Sequence, residues 1–217
     1  MRIRSYTFAA AVLCCLALGN SLGATTIGTF TLGGDQNQVF RSENVGPYAG
    51  TLTGSDAVNF FCLDFNLVSY FGGRYDGTVA VPATPQEEEA AFLGAYAIYL
   101  GSPSSTPSEV NLVEGPVSFA IWQIMGTMGT TAPDPAAQPY IQTAQYAYSH
   151  NLIPQSFLNR GLVFEPTDHS FQRFITAVPD NAMVSQTLSE VSEPGTMALL
   201  GGALTLVGWR GRNRKRL

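Results

Sequence analysis

Cys62 is the residue in this chain best suited to do chemistry. The chain has three cysteines, and Cys14 and Cys15 both lie inside an N-terminal apolar run. Cys62 alone lies in the body of the sequence, within Phe61-Cys62-Leu63-Asp64. A lone thiol asks for a role. The plain reading is a small buried strand residue, because free cysteine is among the most buried residue types. The sharper readings are an intermolecular disulfide or a thioester, which make Cys62 a candidate reactive thiol. Other combinations carry less. Asp168-His169-Ser170 has the residue types of a triad, but sequence neighbours do not fold back into one. No Gly-x-Ser-x-Gly elbow occurs. Two histidines and one cysteine do not make a structural zinc site. Asp35-Gln36-Asn37 has oxygens suited to calcium, yet ordinary turn chemistry accounts for it. Glu87-Glu88-Glu89 reads as a solvated helix start and Trp122 as core. The expectation is therefore no catalytic residue, no cofactor, no metal and a non-enzymatic protein.

The elements that must position Cys62 follow from periodicity. Val58 to Tyr70 is the clearest strand, with Phe61, Leu63, Phe65 and Leu67 on one face. Phe60, Cys62, Asp64 and Asn66 take the other. Gly72-Gly73 marks a turn, and Gly77 to Val81 a returning strand. Upstream, Thr25 to Leu32 suits a strand, closed by Gly33-Gly34-Asp35. The middle changes period. Pro85 opens a helix with acids in its first turn, favourable to the dipole. Phe92, Ala95, Tyr96, Tyr99 and Leu100 follow at helical spacing, and Gly101 stops it. A second helix starts near Pro116, with Val117, Ala120, Ile121, Ile124, Met125 and Met128 in one stripe. A third covers Pro139 to His150. Strand character returns at Gly161 to Phe164 and Phe171 to Val178. This order predicts a single β-rich α+β domain, residues 25–190, with about three helices in the middle.

The two ends read as addresses. Met1-Arg2-Ile3-Arg4 is a basic n-region, Phe8 to Leu18 an apolar core, and Leu22-Gly23-Ala24 a small-residue cleavage site, with Ala17-Leu18-Gly19 as a second. Residues 1–24 are thus expected to be a signal peptide read by Sec-type export machinery. Leu13 precedes Cys14, and Cys14 precedes Cys15, so neither cysteine follows the small residue that a lipidation site needs. At the other end, residues 191–217 hold a polar motif, an apolar run from Met197 to Trp209, and a basic tail. The tail is Arg210, Arg212, Arg214, Lys215 and Arg216, which resists translocation. The run is short for a span, but flanking arginines can snorkel. It is the expected transmembrane segment.

Ser192, Glu193, Pro194, Gly195 and Thr196 form the polar motif. With the apolar run and the basic tail it resembles the PEP-CTERM sorting signal. That resemblance implies cutting near Glu193-Pro194 by an exosortase-like enzyme, after transient anchoring in the inner membrane. It further implies release to the cell surface or extracellular matrix, with extracellular polysaccharide as a candidate partner.

Composition narrows the cargo. Without residues 1–24 and 194–217 it keeps four basic residues, Arg41, Arg74, Arg160 and Arg173, and all sixteen acids. That is a side-chain charge of about −12, so nucleic acid is not an expected partner. Lys215 in the tail is the only lysine of the chain, so the cargo has neither a lysine nucleophile nor a lysine–asparagine crosslink.

A second resemblance bears on Cys62. Phe61-Cys62-Leu63-Asp64 and Val117-Ser118-Phe119-Ala120-Ile121-Trp122 resemble the framework of bacterial surface thioester domains. There a cysteine strand packs beside a helix carrying Gln-x-Ala-Ile-Trp, and a cysteine–glutamine thioester captures nucleophiles on a target. Ser118 stands where that helix motif has glutamine, and a serine hydroxyl is no acyl donor. Gln123 lies roughly 140° round the helix from Ser118. The expectation is a shielded Cys62 without a thioester, and a covalent adhesin using Cys62 is the alternative.

Overall fold

The computed structural model describes residues 26–33, 38–52, 57–100, 110–129 and 132–190. The residues expected to form the signal peptide (1–24) and the sorting signal (191–217), with Asp35-Gln36-Asn37, lie outside them. No helix among the described residues is long and apolar enough to cross a membrane.

Eight strands and five α-helices are described. The strands are β1 (Thr26–Leu32), β2 (Val39–Phe40), β3 (Glu43–Asn44), β4 (Tyr48–Leu52), β5 (Ala57–Cys62), β6 (Arg74–Ala80), β7 (Val163–Pro166) and β8 (Phe174–Thr176). The helices are α1 (Pro85–Tyr99), α2 (Gly115–Ile124), α3 (Gln138–Ser149), α4 (Gln155–Leu158) and α5 (Asn181–Glu190). A π-helical turn, Val110–Glu114, leads into α2. The architecture is mixed α and β, with a closed antiparallel barrel in the order β1-β4-β5-β8-β7-β6 and a separate β2-β3 ribbon. Closure leaves the barrel without an exposed edge.

The barrel is filled by rings. Phe30 lies 4.6 Å from both Phe60 and Phe174, and 5.3 Å from Phe164, between ring centroids. Gly50 makes room for this plug. A Cβ there would lie 2.6 Å from the Thr31 carbonyl oxygen and within 3.2 Å of the Phe30 and Phe60 rings. The helices cover the β5–β8 side. α1 packs against α2, α3, α5 and β8, and Glu89 through Ala97 are all buried. It is a central helix buried on every side, which explains why its apolar residues form no single stripe. Thr84 caps it: its hydroxyl accepts from Glu87 N at 3.2 Å, while the Glu87 carboxylate accepts from Thr84 N at 3.2 Å. This reciprocal pair, with Pro85 at the first turn, fixes the expected start.

Two expectations are corrected. The strand expected over Val58 to Tyr70 ends at Cys62. Beyond it, backbone groups find partners off the sheet: Phe65 N donates to Thr127 Oγ1 at 3.2 Å, and Thr127 Oγ1 donates to the Leu63 carbonyl at 3.0 Å. Phe60, Phe61, Cys62, Leu63 and Asp64 are all buried, because one face lines the barrel and the other meets the helices. The second correction is the helix count. The middle holds α1, α2 and α3 as expected, but α4 and α5 add to them.

Candidate functional site

β5 and β8 build the site. Their antiparallel register sets Cys62 opposite Phe174 and Phe61 opposite Ile175. The Leu63 N–H then donates to the Arg173 carbonyl at 2.9 Å, one step past the strand ends. By strand alternation Cys62 shares the inward face with Phe60, at the open end of the aromatic plug. Cys62 is 4% exposed. Burial pushes its pKa up to about 12, against a weaker opposing hydrogen bond from Tyr48. Tyr48 sits opposite Phe60 on β4, and its hydroxyl donates to the Asn44 carbonyl at 2.7 Å.

The decisive neighbour is Gln172. Its Oε1 lies 3.5 Å from the Cys62 sulfur, within the reach of a thiol hydrogen bond. Its Nε2 donates to the Asp64 carbonyl at 2.9 Å, and its backbone N–H to Ser69 Oγ at 3.3 Å. The sulfur and a carboxamide therefore face each other across a separation of 110 residues. Cys62, Gln172, Tyr48, Glu43 and Trp122 border a cleft of about 210 Å³. With about 30 Å³ per water in the liquid, it has room for a small nucleophile.

Sequence reasoning missed Gln172. The expectation of no thioester rested on the lack of an acyl donor at Ser118, and that ground does not hold: the carboxamide beside Cys62 belongs to a different segment. Ser118 has another task. It is 2% exposed, and its hydroxyl accepts from Gly46 N at 3.1 Å, fastening the chain before β4 to α2. Trp122 packs its ring 5.1 Å from Phe65 and from Phe119, in the core as expected. The only signal for Gln172 in the sequence was a polar residue inside the apolar run Phe171 to Val178.

A thiol beside a carboxamide can undergo one acyl transfer. The Cys62 Sγ–Gln172 Cδ bond forms and the Cδ–Nε2 bond breaks. The thiol proton leaves with the nitrogen as ammonia, and no redox partner is required. The reacting atoms are Sγ and Cδ, and the 3.5 Å contact is to Oε1, one bond beyond Cδ, so the step needs a turn of the carboxamide that brings Cδ to the sulfur.

The remaining candidates do not assemble. Asp168 Oδ1 accepts from Ser170 N at 2.9 Å, a local turn. His169 points to Glu165, at 3.6 Å, with its side chain 78% exposed. Among the described residues no group of histidine, cysteine and carboxylate side chains could hold a metal ion. No family model, no curated protein and no solved structure matches the chain.

Proposed function

We propose that this chain is an exported bacterial surface or matrix protein whose barrel–helix domain carries an internal thioester between Cys62 and Gln172. The observation that carries this reading is the 3.5 Å approach of the Gln172 amide oxygen to the Cys62 sulfur at the floor of a cleft. A thioester there is a reagent used once: an incoming nucleophile takes the Gln172 acyl group and releases the Cys62 thiol. The protein forms one covalent link and does not turn over, so it is no enzyme. The lysine-free cargo supports the reading, since a lysine near the site would compete with the target for the acyl group.

The ends supply the route. Residues 1–24 send the chain through Sec-type machinery. Residues 191–217 hold it in the inner membrane until an exosortase-like enzyme cuts near Glu193-Pro194. Extracellular polysaccharide or a neighbouring surface protein then meets the exposed cleft. Intact-mass measurement tests the chemical half. The mature wild-type domain is one ammonia lighter than its sequence mass and adds methylamine, while Cys62→Ala does neither. A wild-type domain at full mass supports the second reading, a sealed core thiol, which its 4% exposure and raised pKa favour.

A further inference from the structure

A glutamine side chain has three rotatable bonds, and ordering it costs conformational entropy. Residue 64 removes that freedom by several contacts. The Asp64 backbone carbonyl accepts from Gln172 Nε2 at 2.9 Å. Its carboxylate reaches the next residue: Oδ2 accepts from the Arg173 backbone N–H at 2.8 Å. The Arg173 guanidinium closes a fork on the same carboxylate, Nη2 to Oδ1 at 2.7 Å and Nε to Oδ2 at 3.1 Å. Such paired, charge-assisted bonds fix orientation as well as distance. The Asp64 side chain is 9% exposed and that of Arg173 30%, so water competes weakly for the carboxylate. The fork lies where the β5–β8 ladder gives out. Leu63 N to Arg173 O is a backbone bond, and past it the Asp64 carboxylate serves as the acceptor for Arg173 N.

Resting on the Cys62–Gln172 thioester reading, we infer that Asp64 is the positioning residue for thioester closure, holding the Gln172 amide with its oxygen toward the Cys62 sulfur and its nitrogen toward the Asp64 carbonyl. In closure, Sγ bonds to Cδ while Nε2 departs as ammonia with the thiol proton. The leaving nitrogen is the atom the Asp64 carbonyl holds, and attack follows when the amide turns about that anchor so that Cδ, in place of Oε1, meets the sulfur. Asp64 does not touch the sulfur. It acts through Gln172 directly and through Arg173.

Asp64→Asn tests this, because it keeps the side-chain size and the backbone carbonyl but cannot accept the full set of Arg173 bonds. The domain is refolded from denaturant with its thiol free, and ammonia loss is followed by intact mass while melting temperature is recorded in parallel. Asp64→Asn is expected to close at least roughly ten-fold more slowly than wild type, since small misplacement of reacting groups carries penalties of this order or larger. A purely structural pair would lower the melting temperature and leave the closure rate of the folded fraction unchanged. Should Asp64→Asn fail to fold, Arg173→Gln takes its place. It keeps the backbone bond to Oδ2 and removes only the guanidinium fork, and slower closure is again expected. Wild-type closure with an unchanged rate in the folded variant overturns the role of Asp64 alone. A wild-type domain that never loses ammonia overturns the thioester reading and this inference together.

Discussion

A thiol held at a pKa of about 12 by burial is almost wholly protonated at neutral pH, yet the thiolate is the nucleophile in acyl transfer. Cys62 is therefore slow to react until its proton is removed, and the burial that would slow closure would also keep water from the proposed thioester. The sign is fixed by the direction of the shift: below about 12, each unit of rising pH raises the thiolate fraction about ten-fold. The rate of ammonia loss from refolded domain should rise accordingly between pH 7 and pH 9, read by intact mass at timed intervals. A rate flat across that range contradicts free thiolate attack and points to proton transfer inside the site, with Tyr48 the hydroxyl beside the sulfur.

At the scale of elements, the site depends on a barrel that closes around four phenylalanine rings. Gly50 on β4 tests that packing. Gly50→Ala would drive a methyl group against the Thr31 carbonyl and two of the rings. It is expected to cost about 1–3 kcal/mol by overpacking, measured as a lowered urea midpoint at unchanged slope. A variant as stable as wild type would contradict the packed interior. Local elements were legible because their signals are local. Pro85 and the acids that follow it mark the start of α1 as a sequence pattern, and the structure adds the Thr84–Glu87 capping box. β1, α2 and α3 were also recognisable by period. β4 was not, since Gly46, Pro47 and Gly50 interrupt any strand pattern, while Gly50 is needed for ring packing. The over-long reading of β5 has a related cause. Residues 63 to 67 keep an alternating pattern, but Thr127 and Arg173 capture their backbone groups from distant segments. The candidate site was half legible. Cys62 drew attention as a lone thiol, but nothing local to Gln172 tells that it meets Cys62. That meeting is a consequence of β5–β8 register, set by barrel closure between segments far apart in sequence.

At the scale of the whole molecule, composition fits the proposed reagent. The cargo is strongly acidic and free of lysine, a charge unsuited to nucleic acid, and it has no lysine amine to compete for the proposed acyl group. On the proposed route the tail sets the order of events. Deleting residues 194–217 should move the domain from the membrane fraction to a soluble exported fraction, read by immunoblot of fractionated cells. Identical fractionation of both forms, with the native protein keeping its tail, would contradict the sorting route and leave the site chemistry untouched. The central claim is the bond itself, and the most direct measurement is the intact mass of the mature domain before and after methylamine, beside Cys62→Ala and Gln172→Glu. The account predicts a wild-type mass short by one ammonia, a methylamine adduct with release of one thiol, and neither change in the two variants. A wild-type domain at full mass, unreactive to methylamine and yielding its thiol only on unfolding, would contradict it.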